Sequence, residues 1–325
     1  MAHIAKKKKR YDVALECYQN AVSLSNADPM CVVSAIEFIE EFYPDNTDEL
    51  IDLYTVLTGK NPNLPRCYYE LGHLYLKKED RISAVNAFKL ALEQDKDNPF
   101  YLNSLAFAYV QLEQYDSAVE LYQKALNINP DNEWSAVVAQ ALAAIYHQVK
   151  GNHEAAISML QNALLLTKDK APIYQAIADI YYDIEDLDKA IEFYNCSLDG
   201  DCNNPKAYSR LAMAYWEKDY IEKAIIYYSK AIDLDPEYDI AYNNLGVIFL
   251  DGLGDAKRAL AYFENAVDIN PNYVLAHFNI GRAYEMLEQK IEAAKQYQIA
   301  LNLNKINPEI ESQMIEDMLY KLFEA

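Results

Sequence analysis

The chain has 325 residues with 50 acidic and 29 basic side chains, a formal net charge of −21 and a pI of about 4.6. That balance counts against nucleic acid and anionic membranes as partners, because both are held by clustered lysine and arginine. Apolar residues at 52% suffice for a large core, whereas 8 glycines and 11 prolines are too few for a turn-rich β-sandwich. No apolar run approaches the roughly 18 residues of a membrane span. The five cysteines, Cys17, Cys31, Cys67, Cys196 and Cys202, form no C-x-x-C pair, which predicts reduced thiols in a cytoplasmic protein.

In chain order, Lys6 to Arg10 is a run of five bases without the apolar stretch of a secretory signal. It resembles a nuclear-import cluster, although positive charge at a helix end is the simpler reading. Residues 1–28 read as a truncated first repeat whose second helix carries Ala14, Tyr18 and Ala21, as in a fragment or an unusual start. Residues 29–64 read as a degenerate repeat with Leu50, Tyr54 and Leu57 in the same slots. Seven clear copies follow over 65–307. An alanine recurs at Ala84, Ala118, Ala156, Ala190, Ala224, Ala259 and Ala293, in steps of 34, 38, 34, 34, 35 and 34 residues. Four residues later comes Phe88, Tyr122, Leu160, Tyr194, Tyr228, Phe263 or Tyr297. Upstream stand Leu71/Tyr75, Leu105/Tyr109, Leu142/Tyr146, Ile177/Tyr181, Leu211/Tyr215, Leu245/Phe249 and Ile280/Tyr284.

Spacings of three and four place these residues on one helix face, so each copy reads as two amphipathic helices. Prolines at Pro99, Pro130, Pro205, Pro236, Pro271 and Pro308 punctuate the copies, since proline suits a first helical turn but cannot continue a preceding helix. One such pair cannot bury enough surface alone, and stacking of neighbours into an elongated solenoid follows. The tyrosines, 28 against 10 phenylalanines, are mostly taken up by these packing slots. After Pro308 the repeat stops, yet Ile310, Met314, Ile315, Met318, Leu319 and Leu322 keep helical spacing. Residues 308–325 are expected to form a C-terminal capping helix.

The period and the W-x2-L-G-x2-Y…A-x3-F…P pattern resemble the tetratricopeptide repeat. Tyr242-Asn243-Asn244-Leu245-Gly246…Phe249 with Ala259…Phe263…Ala266…Pro271 is similar to its consensus. The resemblance implies an all-α, right-handed superhelical solenoid of tandem helix-turn-helix repeats. It also implies a concave groove, lined by the outer face of each first helix, that binds extended or helical peptides. Mapped onto this chain, that face carries Tyr69 and His73, Asn103 and Phe107, then Gln140. It continues with Gln175, Asp179 and Tyr182; Lys206, Arg210, Met213 and Trp216; Asn243, Asn244 and Val247; and Phe278, Asn279 and Arg282. Chaperone-binding members clamp a terminal carboxylate with Lys, Asn and Arg from three repeats. Lys206 and Arg210 match its last part, but Gln140, Ala144 and Ala176 stand at the earlier ones. Glycosyltransferase-associated members carry an asparagine ladder. Asn244 and Asn279 match it, while Ser104, Ala141, Ala176 and Arg210 interrupt it.

Repeats occupy residues 14 to 307, leaving no room for a catalytic domain, so a non-enzymatic scaffold for protein–protein interaction is expected. The alternative is a regulatory or substrate-recruiting arm of an enzyme, such as a glycosyltransferase, whose catalytic part is absent from this chain. No catalytic residue, cofactor or metal ligand is expected. His3, His73, His147, His153 and His277 lack H-x3-H or H-E-x2-H spacing, and His277 falls in a packing slot. Asp251-Gly252-Leu253-Gly254-Asp255 follows no strand and lacks the downstream Glu of a calcium loop, so it reads as a turn enlarged by one residue. The expected partner is a protein or peptide, not nucleic acid or membrane, with a monomer favoured.

Overall fold

The computed structural model describes residues 11–128 and 133–324. His3, the Lys6–Arg10 run and Pro130 lie outside the described residues. Among the described residues the chain is helical and without strands, and it divides into two compact units that meet at Thr167 and Lys168. Unit one contains α1 (Tyr11–Leu24), α2 (Pro29–Phe42), α3 (Thr47–Lys60), α4 (Pro65–Lys77) and α5 (Arg81–Gln94). It continues with α6 (Pro99–Gln111), α7 (Tyr115–Ile128), α8 (Glu133–Gln148) and α9 (His153–Ala163). Unit two contains α10 (Ala171–Asp183), α11 (Leu187–Gly200), α12 (Pro205–Glu217), α13 (Ile221–Leu234) and α14 (Asp239–Val247). After a π-helical turn at Ile248–Gly252 come α15 (Ala256–Ile269), α16 (Val274–Met286), α17 (Lys290–Asn304) and α18 (Ser312–Glu324).

Local chemistry sets the helix boundaries. Pro29, Pro65, Pro99 and Pro205 stand in first turns, where a missing N–H costs nothing. Side chains of Asp80, Asn152, Asp186, Asn204 and Asp255 accept from backbone N–H groups three residues on, capping α5, α9, α11, α12 and α15. First helices end on a left-handed residue: Glu79, Glu113, Glu185, Asp219 and Glu288 have φ of 59–62°. The next N–H then bonds a carbonyl five residues back, as from Asp186 to Tyr181 and from Tyr220 to Tyr215. Where the chain is longer, glycine takes the left-handed place (Gly151, Gly254), and the bond spans six residues, from Asn152 to Tyr146 and from Asp255 to Phe249. The extra residue near 251 is therefore absorbed inside the helix as the π turn.

The recurring alanines and the large side chains after them are fully buried in both units. In unit two, the layer around α12 to α15 packs Tyr194, Tyr208, Leu211, Tyr228, Leu245 and Phe263 into one core. Approach there is close: a Cβ on Gly246 would stand 2.5 Å from the Phe263 ring, so only glycine fits at that point. His277 is buried, bonded to Gln296 and to the Pro271 carbonyl. At the end of the unit, Ile315 and Leu322 of α18 pack against Val274, Phe278, Tyr297 and Leu301. Buried Asn304 fixes the link to α18, accepting from the Glu309 N–H and donating to the Ile310 carbonyl at 2.7 Å each.

Candidate binding face of the first helices

In unit one the face residues act on neighbouring helices without forming one site. Tyr69 lies edge-on to His73 at 4.5 Å and packs near Phe88 and Tyr101. Burial against its neighbours pushes the His73 imidazole below its usual range, and its Nε2 meets Ser104 Oγ at 3.3 Å. Asn103 is half-buried and Phe107 exposed. Gln140 folds back to donate to the Ala136 carbonyl of its own helix. Two larger open clefts, about 780 and 650 Å³, lie beside α2, with Met30, 78% exposed, on the lip of both.

In unit two the face is more tightly organised. Gln175 Oε1 accepts from Asn204 Nδ2 at 3.4 Å. Asp179 accepts from the Tyr194 hydroxyl at 2.6 Å and has Arg210 Nε 3.9 Å away. Tyr182 is half-buried, and burial pushes its phenol up. Lys206 and Arg210 are exposed, four residues apart on α12. Met213 and Trp216 of α12, Asn244 and Val247 of α14 and Tyr228 of α13 line one cleft of about 120 Å³, with exposed Glu217 at its rim. The geometry thus brings four of the expected face residues together around one opening.

Three others turn inward. Asn243, Phe278 and Asn279 are buried, Phe278 against the Tyr297 ring at 5.5 Å. The asparagines belong to a chain of hydrogen bonds. Arg282 donates to Asp251 Oδ1 at 2.7 Å and to Asn279 Oδ1 at 3.2 Å; Asn279 Nδ2 donates to Asn243 Oδ1 at 2.9 Å; Asn243 Nδ2 donates to Asn244 Oδ1 at 3.2 Å. The polar atoms of Asn243 and Asn279 are thus used within the chain, whereas Lys206 and Arg210 stay exposed.

Sequence reasoning assigned Tyr228 to packing, and it does pack, 2% exposed. It also lines the cleft. Burial pushes the phenol well above its usual range, and the Asn244 amide, bonded to the phenol oxygen, opposes that shift. The readable signal was an apolar pair, Met213 and Trp216, where the copies that hold Tyr194 and Tyr297 place a carboxylate.

Family models described as tetratricopeptide repeat match residues 100–169, residues 1–28, 65–98, 171–198 and 205–238, and residues 250–308. Superkiller complex protein 3 of Homo sapiens is 22% identical over 198 residues, covering 56% of this chain and 12% of that protein. Protein O-mannosyl-transferase TMTC1 of Homo sapiens is 25% identical over 175 residues, covering 53% of this chain and 19% of that protein. The matched part is thus less than a fifth of either relative. A solved tetratricopeptide repeat protein from Parabacteroides merdae superposes with a TM-score of 0.60 at 17% identity, covering 80% of this chain and 99% of that one. That likeness is one of fold, an all-α repeat solenoid.

Proposed function

Because the chain belongs to the tetratricopeptide repeat family, we propose that it is a non-enzymatic scaffold that holds a protein or peptide segment against the first-helix face of its repeats. The observation that carries this reading is the convergence of Met213, Trp216, Asn244 and Val247, from two consecutive first helices, on one open cleft. An indole and a thioether supply apolar contact area, and an amide can pair with a partner's backbone. Lys206 and Arg210 stand on the same helix in a chain of net charge −21, so they favour a segment that carries a carboxylate beside an apolar side chain. The overall acidity supports protein over nucleic acid as the partner. Free cysteines support a cytoplasmic site of action.

The test is recovery of partners from native lysate by the full chain and by a variant with Lys206→Glu and Arg210→Gln. The variant keeps its helicity and loses the partner, and salt weakens the wild-type interaction only in its charged part. Equal recovery by both proteins refutes the reading. The match to part of a mannosyl-transferase favours a second reading, a substrate-recruiting arm of an enzyme. It replaces the first if the recovered partner is a glycosyltransferase whose turnover of a protein acceptor rises when the chain is added.

A further inference from the structure

In unit two the large slot of a second helix is tyrosine at Tyr194, Tyr228 and Tyr297, and all three side chains are buried. A buried hydroxyl calls for an acceptor. Tyr194 donates to Asp179 Oδ1 at 2.6 Å, and Tyr297 donates to Glu285 Oε2 at 2.9 Å. Counted from Ile177 and Ile280, the leucine slots of α10 and α16, these carboxylates stand two and five residues on. Counted from Leu211 in α12, the same two places hold Met213 and Trp216. Neither offers a strong acceptor. Where Phe263 fills the slot, the two places hold Val247 and Leu250, and nothing is missing because the ring has no hydroxyl. Tyr228 is therefore a donor whose expected carboxylate is replaced by the 120 Å³ cleft. No hydrogen bond joins it to Glu217 among the described residues.

The amide beside it is held as a donor too. Arg282 cannot accept, so the atom that Asn279 presents to it must be the oxygen. That turns Asn279 Nδ2 toward Asn243, Asn243 Nδ2 toward the Asn244 oxygen, and Asn244 Nδ2 toward the cleft and Tyr228. Tyr122 in unit one has the same apolar pair, Phe107 and Val110, but Ala141 stands where Asn244 stands, so it lacks the second donor.

We propose that the Tyr228 hydroxyl and the Asn244 amide form a pocket for a partner's carboxylate, which sits where Asp179 and Glu285 sit for the sister tyrosines. The assignment rests on the scaffold reading and names the chemistry that its cleft selects. Lys206 and Arg210 on α12 supply the attracting charge, and Met213 and Trp216 cover the methylenes that bear the carboxylate.

The experiment titrates the full 15N-labelled chain with N-acetyl-glutamic acid α-amide, following the Asn244 side-chain amide and the Trp216 indole N–H. N-acetyl-glutamine amide is the neutral twin, and N-acetyl-valine with a free carboxylate represents a chain terminus. Wild type should bind the glutamic acid probe in preference to its twin, and Tyr228→Phe should weaken that binding about tenfold or more, the worth of a hydrogen bond to a charged acceptor. Phe88 and Phe263 in the same slot indicate that this variant folds. Tyr194→Phe should leave binding unchanged. Met213→Asp, which supplies the carboxylate from within the chain, should abolish it. Equal dependence of N-acetyl-valine on Tyr228 supports the pocket and assigns the carboxylate to a chain end. Equal binding of the glutamine twin, or unchanged affinity in Tyr228→Phe, overturns the pocket. The scaffold reading is decided separately, by partner recovery with the Lys206 and Arg210 variant.

Discussion

Removing one hydroxyl should separate two tyrosines that occupy the same slot. Tyr194→Phe deletes a 2.6 Å bond to Asp179 from a fully buried phenol. A hydrogen bond to a charged group contributes about 1.5–3 kcal/mol, and Asp179 keeps contact with water and with Arg210, so the loss should fall at the lower end, about 1.5–2 kcal/mol. Tyr228→Phe leaves packing intact and deletes only a neutral bond, the one from the Asn244 amide, so it should cost less, about 0.5–1 kcal/mol. In a repeat array, stability is a sum of local terms, so the difference should appear where the change is made. Amide hydrogen exchange read segment by segment checks this: Tyr194→Phe should speed exchange across α10 and α11, whereas Tyr228→Phe should leave α12 and α13 close to wild type. Urea unfolding of both variants gives the magnitudes. If Tyr228→Phe proves as costly as Tyr194→Phe, the Tyr228 hydroxyl has an internal acceptor, and the argument from sister repeats fails.

Three further outcomes follow from packing and burial. Gly246→Ala places a Cβ against the Phe263 ring and should destabilise by about 1–3 kcal/mol, whereas Gly59→Ala, a helical position with open space around it, should stabilise by about 0.5 kcal/mol; equal melting shifts would refute the close approach. Burial pushes Tyr122 up to about 12, and raises Tyr54, Tyr194, Tyr228, Tyr273 and Tyr297 further, assisted by Glu40 at Tyr54 and Asp179 at Tyr194. Because their folded values lie above the unfolded value near 10, this stability is complete below about pH 10 and is lost as pH rises beyond it; phenolate absorbance followed with circular dichroism should show these tyrosines ionising only as helicity falls, and full ionisation near pH 10 with helices intact would refute it. Deleting residues 308–325 uncovers Phe278 and Tyr297 and should speed hydrogen exchange in α16 and α17; unchanged exchange would mean that α18 does not stabilise that end.

The alanine and aromatic slots were legible in the sequence because spacings of three and four force them onto one face, and a buried face leaves alanine little freedom. What an asparagine does on the other face was not legible. Asn243 and Asn279 stand at the expected positions, yet they pair with each other rather than face a partner. Helical spacing fixes the direction of Cβ, while the partner of an amide depends on what the next repeat sets beside it. The second feature of Tyr228, which packs as its slot implies, was hidden for a related reason. Its slot marks it as packing, and only comparison with Asp179 and Glu285 across repeats exposes the missing acceptor.

The residue inserted near position 251 connects these observations. Sequence alone reads the Asp251–Asp255 segment as an enlarged turn. In the structure the extra residue enters the helix as a π turn, a form often associated with functional positions. Its Asp251 pairs with Arg282, which fixes the orientation of Asn279, Asn243 and Asn244 in succession. In the same turn, a Cβ on Gly252 would lie 2.8 Å from the Trp216 ring, so glycine there allows the indole to rest on the turn beside the cleft. One insertion thus acts on both walls of the opening: it orients the amide on one side and makes room for the aromatic on the other. A regular 34-residue copy would preserve the stacking of the helices but would lack the π turn on which the indole rests, so the inserted residue shapes the cleft.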